Sequence, residues 1–232
     1  MSIATKGLVM QVFPEVVADT LHSKGLRLDK RRFADYREIG FRNVVKTDKS
    51  TAFAYRSLGI EIFGGLVYTV SKVELSIDSR VELIVLKNGN EINIPSFIVK
   101  MLSKWVENTN KMVKYTIEVN IQLLDGNIIY HIVSFLQNLF MNAGVMDVDQ
   151  EGALQFSGRH FLEQKSLKLM CVSILDSNES RVMLMDPTDK ELEMAQSHAF
   201  VVADLTDDAK IVYMNLNGGF SLDSIHEMLA SE

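Results

Sequence analysis

The residue types that most often carry metal or nucleophilic chemistry are scattered along this chain. No two of its histidines have the spacing of metal ligands, so each is more readily explained as a surface or satisfied side chain. Cys171 lies in an apolar, strand-like pattern that predicts a small buried side chain. The sequence contains no P-loop, GxGxxG, GxSxG or HExxH motif. The histidines are His22, His131, His160, His198 and His226. These residues define no active site, and we predict neither a metal nor a cofactor.

Charged side chains are distributed unevenly along the sequence. The formal net charge of −6 argues against a general affinity for nucleic acid. Six basic and two acidic residues lie between Lys24 and Arg37, whereas ten acidic residues and two lysines lie between Asp186 and Glu232. This asymmetry suits a chain that packs against charged neighbours, although two solvated faces explain the same pattern.

The composition is typical of a globular protein. Of its 232 residues 47% are hydrophobic, 23% are charged and only three are proline, which excludes a disordered chain. A single cysteine excludes an intrachain disulfide and favours a reducing compartment. No apolar run approaches the roughly 18 residues of a membrane span, and the first twenty residues lack a secretory pattern. We therefore predict a cytosolic or nuclear protein without membrane association.

The elements that would position functional side chains centre on residues 115–144. Polar and apolar residues alternate over 116–123, which predicts a half-buried strand. Asp125-Gly126 supplies a turn and Asn127 a candidate helix N-cap, after which apolar residues recur at helical spacing. We expect a core helix that is covered on most sides, with Gly144 as its left-handed C-terminal cap.

Other elements are predicted on both sides of this unit. Helices are expected over about 11–23 and over 96–108, the second capped by Ser96, and Asn88-Gly89 indicates a β-hairpin. Residues 147–166 are irregular in pattern, and 186–196 form a polar loop that could hold a helical turn. Strands are predicted at 39–46, 51–58, 60–63, 66–77 (joined to the previous one through Gly64-Gly65), 81–86, 91–94, 168–175, 181–185, 199–203 and 211–215, with a last helix at 221–229. Without a linker or an internal repeat, we predict a single domain over 1–232 with its core over 36–230.

Four segments, in this order, resemble the ribonuclease PH-like subunits of the RNA exosome. Arg27-x-Asp29-x-Arg31 and then Asp35-Tyr36-Arg37 resemble their opening Arg-x-Asp-Gly-Arg and Glu-x-Arg. Leu124-Asp125-Gly126-Asn127, feeding a helix that ends Asn142-Ala143-Gly144-Val145, is similar to their strand, turn and helix. Met185-Asp186-Pro187-Thr188-Asp189-Lys190-Glu191 resembles Leu-Asp-Pro-Thr-x-x-Glu, and Gly218-Gly219-x-Ser221-Leu222-x-x-Ile225 resembles the start of their closing helix. The resemblance covers about residues 13–230.

The resemblance implies an α/β (α+β) fold of the ribonuclease PH-like, ribosomal protein S5 domain 2-like type. That fold has a β-α-β-α architecture with mixed and antiparallel sheets and packed helices. The resemblance points to the non-catalytic branch of eukaryotic exosome subunits, in a diverged lineage. Such subunits complete a ring of six around an RNA channel and support 3′-to-5′ RNA degradation and processing, including rRNA processing. The implied partners are other ring subunits, cap subunits and single-stranded RNA, in the nucleus (with the nucleolus) and the cytoplasm.

Departures from the family pattern argue against an intact catalytic site. Active members of the family use two aspartates six residues apart. Asp186 matches the first, but the second falls on Leu192, which cannot position phosphate, metal or a proton. We interpret Asp186 as a vestige of the site and predict no enzymatic activity. Lys30 and Asp35 also replace the family's glycine and glutamate, and 78–95 is shorter than in most members.

The resemblance also assigns binding residues. Subunit-interface or structural roles fall on Arg27, Asp29, Arg31 and Arg37, whose guanidinium groups suit paired carboxylates. Weak contacts with RNA phosphates fall on Lys87, Lys100, Lys104, Lys111 and Lys114. The family's two RNA-facing arginines correspond to Lys104 and Glu107, and a glutamate there would repel phosphate. A solvated lysine face explains each of these lysines equally well.

Two other functions stay open. A phosphorolytic 3′–5′ exoribonuclease that is active only with a partner needs a phosphate-binding arginine cluster and paired carboxylates, and Leu192 argues against it. An unrelated protein-interaction module would expose Phe or Met side chains on edge strands. RNA decay that depends on phosphate would favour the exoribonuclease. A monomer without affinity for ring subunits would favour the interaction module. A ring subunit would instead be poorly soluble or self-associate when alone, and Asp186→Ala would leave RNA decay by the assembled complex nearly unchanged.

Overall fold

The structure is a computed structural model that describes residues 14–27, 29–47, 49–176, 181–205, 210–221 and 225. Its helices are α1 (Pro14–Lys24), α2 (Ile77–Arg80), α3 (Ser96–Val106), α4 (Ile128–Asn142) and α5 (Asp189–Met194). Its strands are β1 (Gly40–Lys46), β2 (Ser50–Ser57), β3 (Ile60–Val70), β4 (Val81–Lys87), β5 (Asn90–Glu91), β6 (Val113–Leu123), β7 (Gly144–Val148), β8 (Leu154–His160), β9 (Leu167–Asp176), β10 (Arg181–Met185), β11 (Ser197–Asp204) and β12 (Lys210–Asn217). No helix within the described ranges has the length and apolar character that crossing a membrane requires.

The chain divides into two compact units. The central unit comprises residues 38–168 and 204–210, and the terminal unit comprises residues 1–37, 169–203 and 211–232. Contacts alone do not decide whether two such units unfold together. The single domain over 1–232 therefore stays a prediction.

A six-stranded sheet with the order β1-β2-β3-β6-β4-β5 forms the framework of the central unit. Strands β1, β2, β3 and β6 are antiparallel neighbours, whereas β4 runs parallel to β6. Helix α3 is the crossover that a parallel pair requires. The hairpin expected at Asn88-Gly89 is confirmed, since Leu86 pairs with Glu91 and both turn residues have positive φ.

Gly64 and Gly65 lie inside β3, so the prediction of two strands joined by a turn at this point was wrong. A Cβ atom on Gly64 would lie 2.5 Å from the carbonyl oxygen of Glu118 and 2.8 Å from Cζ of Phe135. A Cβ atom on Gly65 would lie 2.5 Å from the carbonyl oxygen of Thr51. These glycines let the neighbouring strands and helix α4 approach β3 closely, a use of glycine inside strands that local sequence does not reveal.

Helix α4 is the core helix that the sequence predicted. The side chain of Asn127 caps it by accepting a hydrogen bond from the Tyr130 N–H at 2.9 Å, and ten of its fifteen residues are buried. The expected left-handed cap at Gly144 was wrong, because Ala143 ends the helix in an extended conformation and Gly144 begins β7. A Cβ atom on Gly144 would lie 2.5 Å from Cε2 of the half-exposed Phe156 ring, which would have to shift to admit a side chain.

Part of the segment expected to be irregular is an antiparallel hairpin of β7 and β8. The Asp149 carboxylate closes its turn by accepting from the N–H groups of Glu151 at 2.9 Å and Ala153 at 2.8 Å. Strand β8 is largely exposed, so it lacks the apolar alternation by which a strand is recognised. Helix α3 also differs from expectation, because Pro95 rather than Ser96 precedes its first turn.

The terminal unit is built on a four-stranded sheet with the order β10-β9-β11-β12. Helices α1 and α5 contribute Leu21 and Met194 to an apolar cluster with Leu175, Val182 and Leu184 from the sheet. Strand β10 has the predicted bounds. Residues 11–13 of the first predicted helix lie outside the described residues. So does the closing helix at 221–229, apart from Ser221 and Ile225.

Candidate functional site

The predicted arginines of the terminal unit meet the Asp-Pro-Thr segment in one ionic cluster, which we call the Asp186 cluster. Its members are Arg27, Asp29, Arg31, Arg37, Asp186 and Glu191. The basic residues follow α1, Asp186 follows β10 and Glu191 belongs to α5. Asp186 has a left-handed backbone with a φ of 49°, which aspartate tolerates better than most residues. Its N–H donates to the carbonyl oxygen of Cys171 at 2.8 Å, so the end of β10 is fixed to β9.

The Asp186 carboxylate is enclosed by arginines. Arg37 donates two parallel hydrogen bonds to it, from Nη2 to Oδ1 at 2.6 Å and from Nε to Oδ2 at 2.9 Å. The backbone N–H of Arg37 and Nη1 of Arg31 also donate to Oδ2, at 3.0 and 3.3 Å. The Asp186 side chain is 2% exposed and that of Arg37 is 1% exposed. Both carboxylate oxygens are therefore used within the chain.

Glu191 both forms an ion pair and caps a helix in the same cluster. Its carboxylate pairs with the Arg27 guanidinium, with Nε at 3.0 Å from Oε1. It also accepts from the backbone N–H and hydroxyl of Thr188, at 2.8 and 3.0 Å, which completes a capping box at the start of α5. The sequence reasoning missed Glu191, although the spacing Thr188-x-x-Glu191 is the capping-box signal. The polar loop predicted at 186–196 accordingly contains a true helix.

The side chains of Arg27 and Arg37 are 0% and 1% exposed and pair with carboxylates of the same chain, so they help to hold the terminal unit together. The subunit-interface role predicted for them stays a prediction. Arg31 and Asp29 remain partly accessible and pair with each other at 2.7 Å. Partial burial raises the pKa of Asp29, but the hydrogen bonds and charge of Arg31 outweigh it and hold the pKa below its usual value. An interface role for these two residues stays a prediction.

The Asp186 cluster offers little that could act on a substrate. Leu192, the position that the sequence resemblance matches to a second catalytic aspartate, lies half-buried in α5 and carries no polar group. Cys171 is buried, as predicted, and burial, with the nearby charge of Asp186, raises the pKa of its thiol to about 12. Such a thiol stays protonated near neutral pH and is a poor nucleophile. The geometry is that of a structural ionic cluster.

The predicted RNA-contacting lysines belong to the central unit but do not form one patch. Lys87 ends β4 opposite Ile121, whereas Lys111 precedes the other end of β6, about 30 Å away at roughly 3.3 Å per residue. Lys100 and Lys104 are four residues apart on α3 and therefore share a face. RNA contact by these lysines stays a prediction.

Acidic side chains accompany three of the five lysines. Lys104 Nζ lies 2.8 Å from the Asp204 carboxylate, and Lys114 Nζ lies 2.7 Å from Glu82. Lys111 lies 3.7 Å from Glu74, with both side chains well exposed. A phosphate would have to compete with these carboxylates for the lysines.

Comparison with known proteins supports the fold. Neither a family model nor a curated protein sequence matches the chain. The solved structure of rice Rrp46 is similar, with a TM-score of 0.61 and 9% identity over 88% of this chain and 91% of that one. A chain of an archaeal exosome core is similar with a TM-score of 0.54 and 15% identity over 97% of this chain and 93% of that one. The predicted mixed α+β fold of the ribonuclease PH-like class is confirmed. Identities this low show the fold alone.

Proposed function

We propose that this chain is a non-catalytic, structural subunit of an RNA exosome core ring. The observation that carries the proposal is the similarity to a chain of an archaeal exosome core over almost the full length of both chains. The ordered segments that resemble the family support it independently. In this role the chain holds neighbouring ring and cap subunits and lines part of a channel for single-stranded RNA. We propose that it acts in the nucleus, including the nucleolus, and in the cytoplasm.

The Asp186 cluster supports the non-catalytic part of the proposal. A carboxylate that positions metal, phosphate or a proton must present oxygen lone pairs to the substrate. Both oxygens of Asp186 instead accept bonds from arginines, and Leu192 supplies no second carboxylate. Asp186 serves to hold the Arg31–Arg37 segment against the end of β10.

Edge strands supply surfaces that suit neighbouring subunits. Strand β12 lies at one end of the terminal unit's sheet, and Ile211, Val212, Met214 and Leu216 on it are between 37% and 43% exposed. Strand β1 lies at the end of the central unit's sheet and exposes Val44 and Val45. Unpaired strand edges with apolar side chains are surfaces that another chain can cover.

The test is to recover the tagged full-length chain from its own cells, identify its companions by mass spectrometry and assay RNA decay with and without inorganic phosphate. We expect ring and cap subunits in equal amounts, with decay that does not depend on phosphate. Recovery of this chain alone would overturn the subunit assignment.

A single variant tests the absence of catalysis in the same complex. Asp186→Asn keeps the size of the side chain, and recovery of its companions reports whether the subunit still assembles. We expect unchanged decay in the assembled variant complex. Phosphate-dependent decay that disappears in that complex would make this chain an enzyme.

A further inference from the structure

A small cleft in the central unit combines an aromatic wall with several polar groups. Its volume is about 210 Å³, and it lies between the end of α3, strand β8 and the end of β11. Its principal lining residues are Lys104, Trp105, Arg159, His160, Ser166 and Asp204. The cleft shares no residue with the Asp186 cluster.

Two cations and one carboxylate line the cleft, so its formal charge is positive. Asp204 pairs with Lys104 at 2.8 Å, so an anion at the cleft shares that ammonium group with a carboxylate. Arg159 donates from Nη2 to the carbonyl oxygen of Asn108 at 3.3 Å, and within the described part of the chain it forms no ion pair. A guanidinium with one neutral partner retains N–H donors and its full charge for an anion.

Two further polar groups at the cleft have unused hydrogen-bonding capacity. Ser166 is 5% exposed, and its buried hydroxyl finds no partner among the described residues. Leaving a buried hydroxyl unpaired is unfavourable, and a ligand oxygen that accepts from it would remove that penalty. His160 donates from Nδ1 to the carbonyl oxygen of Ala143 at 3.1 Å, because a carbonyl can only accept. Its Nε2 is then left for a second partner.

The walls of the cleft are held in place from within the central unit. Rings of Trp105 and Phe161 flank Phe140, with centroid distances of 5.1 and 4.9 Å. The buried Arg80 donates to the hydroxyl of Thr109 and to the carbonyl oxygen of Asn110, at the end of α3. These contacts fix the aromatic wall and the backbone at residues 109–110 before a ligand binds.

We propose that this cleft binds the phosphate group of a small phosphate monoester. A dianionic group with three terminal oxygens matches an ammonium, a guanidinium and a serine hydroxyl that come from different elements. The cleft is smaller than the roughly 300–1,000 Å³ typical of drug-sized ligands, which favours a compact group over a peptide. The aromatic wall suits a sugar or base attached to that phosphate.

The only tryptophan of the protein, Trp105, lies at this cleft and reports its occupancy through fluorescence. The full-length chain, without partners and at low concentration, is titrated with AMP, inorganic phosphate, adenosine and the dinucleoside monophosphate ApA. We expect saturable changes with AMP and phosphate and none with adenosine. Binding of ApA as tight as that of AMP would assign the cleft to a phosphodiester and overturn the proposal, as would equal responses to AMP and adenosine or none to either.

Three variants test whether the fluorescence change comes from binding at the cleft. Arg159→Gln removes charge-assisted bonds and raises the Kd for AMP about tenfold or more. Ser166→Ala weakens AMP binding several-fold while leaving stability to urea unchanged or higher, because it removes an unpaired hydroxyl. Arg42→Gln is the matched control, since Arg42 is an exposed arginine of β1 outside the cleft. Equal loss of affinity in Arg42→Gln, or no loss in Arg159→Gln, would overturn the proposal.

This inference does not rest on the proposed function. The titration uses the chain without any partner, so binding of AMP stands even where no exosome subunit is recovered with the protein. Failure of the titration would likewise leave the ring assignment untouched.

Discussion

Asp186 joins parts of the chain that are 149 residues apart, because its carboxylate accepts from the side chain and backbone of Arg37. Taking both charges out of water is costly, and only the paired geometry offsets that cost. Breaking the bidentate bond therefore costs more stability than forming it contributes. An Arg37 without its partner would be a buried, uncompensated cation.

We predict that Asp186→Ala lowers the free energy of unfolding by about 3–5 kcal/mol, the usual effect of removing one partner of a buried ion pair. Urea unfolding followed by circular dichroism measures it. The expectation that RNA decay by the assembled complex is nearly unaffected stays a prediction, and the destabilised subunit is expected to lower the amount of complex that assembles.

The control is Asp189→Ala, the same substitution three residues further on at an exposed position in the first turn of α5. It should cost no more than about 1 kcal/mol, the size of a favourable charge at a helix N-terminus. A loss in Asp186→Ala no greater than in this control would show that the Asp186 cluster is not structurally important.

Strand β3 and helix α4 form the element pair on which the central unit depends. Helix α4 presents Phe135 to β3 at the point where Gly64 has no side chain. The Phe135 ring also lies 6.0 Å from that of Phe41 and 6.2 Å from that of Tyr55, so it fills the space between helix and sheet. Gly64 is therefore required for packing against Phe135, which lies 71 residues further along the chain.

We predict that Gly64→Ala destabilises the protein by about 1–3 kcal/mol, because an added methyl group must displace a strand carbonyl and an aromatic ring. Gly40→Ala on β1 is the control, since its Cβ would meet the Arg56 carbonyl oxygen at an ordinary 3.7 Å. Thermal unfolding of both variants gives the comparison. Equal melting temperatures for the two would contradict the close approach of α4 to β3.

At the scale of the whole molecule, apolar side chains remain exposed on the edge strands β1 and β12. A chain that functions alone usually protects such edges with charges, prolines or covering segments. Among the described residues of β12, Lys210 is the only charged one. This pattern is typical of a surface that a neighbouring subunit covers.

We predict that the isolated chain self-associates as its concentration rises, and that Val212→Lys with Met214→Lys reduces this association because like charges oppose strand pairing. Sedimentation velocity over a range of concentrations measures it. Leu58→Lys, at a 67% exposed position in the turn between β2 and β3, is the control and should leave association unchanged. A wild-type chain that stays monomeric at high concentration would argue against a ring subunit.

The sequence by itself determined the elements whose signals are local. Alternation over 116–123, the Asn127 cap and the apolar spacing of α4 specified the central strand and helix, and Asn88-Gly89 specified a hairpin. The order of the segments that resemble the family also predicted the fold class. Backbone preferences act over a few residues, so they can be recognised without knowing the fold.

Only the tertiary structure determined which residues distant in sequence pack against each other or form ion pairs. It showed that Gly64 serves helix packing, that Glu191 neutralises Arg27, and that Asp186 holds the arginines rather than facing a substrate. It also brought Arg159 and Ser166 to the cleft beside Trp105, although neither stood out in the sequence. The physical reason is that burial and pairing depend on which segments meet, and a partner more than a hundred residues away leaves no periodic signal.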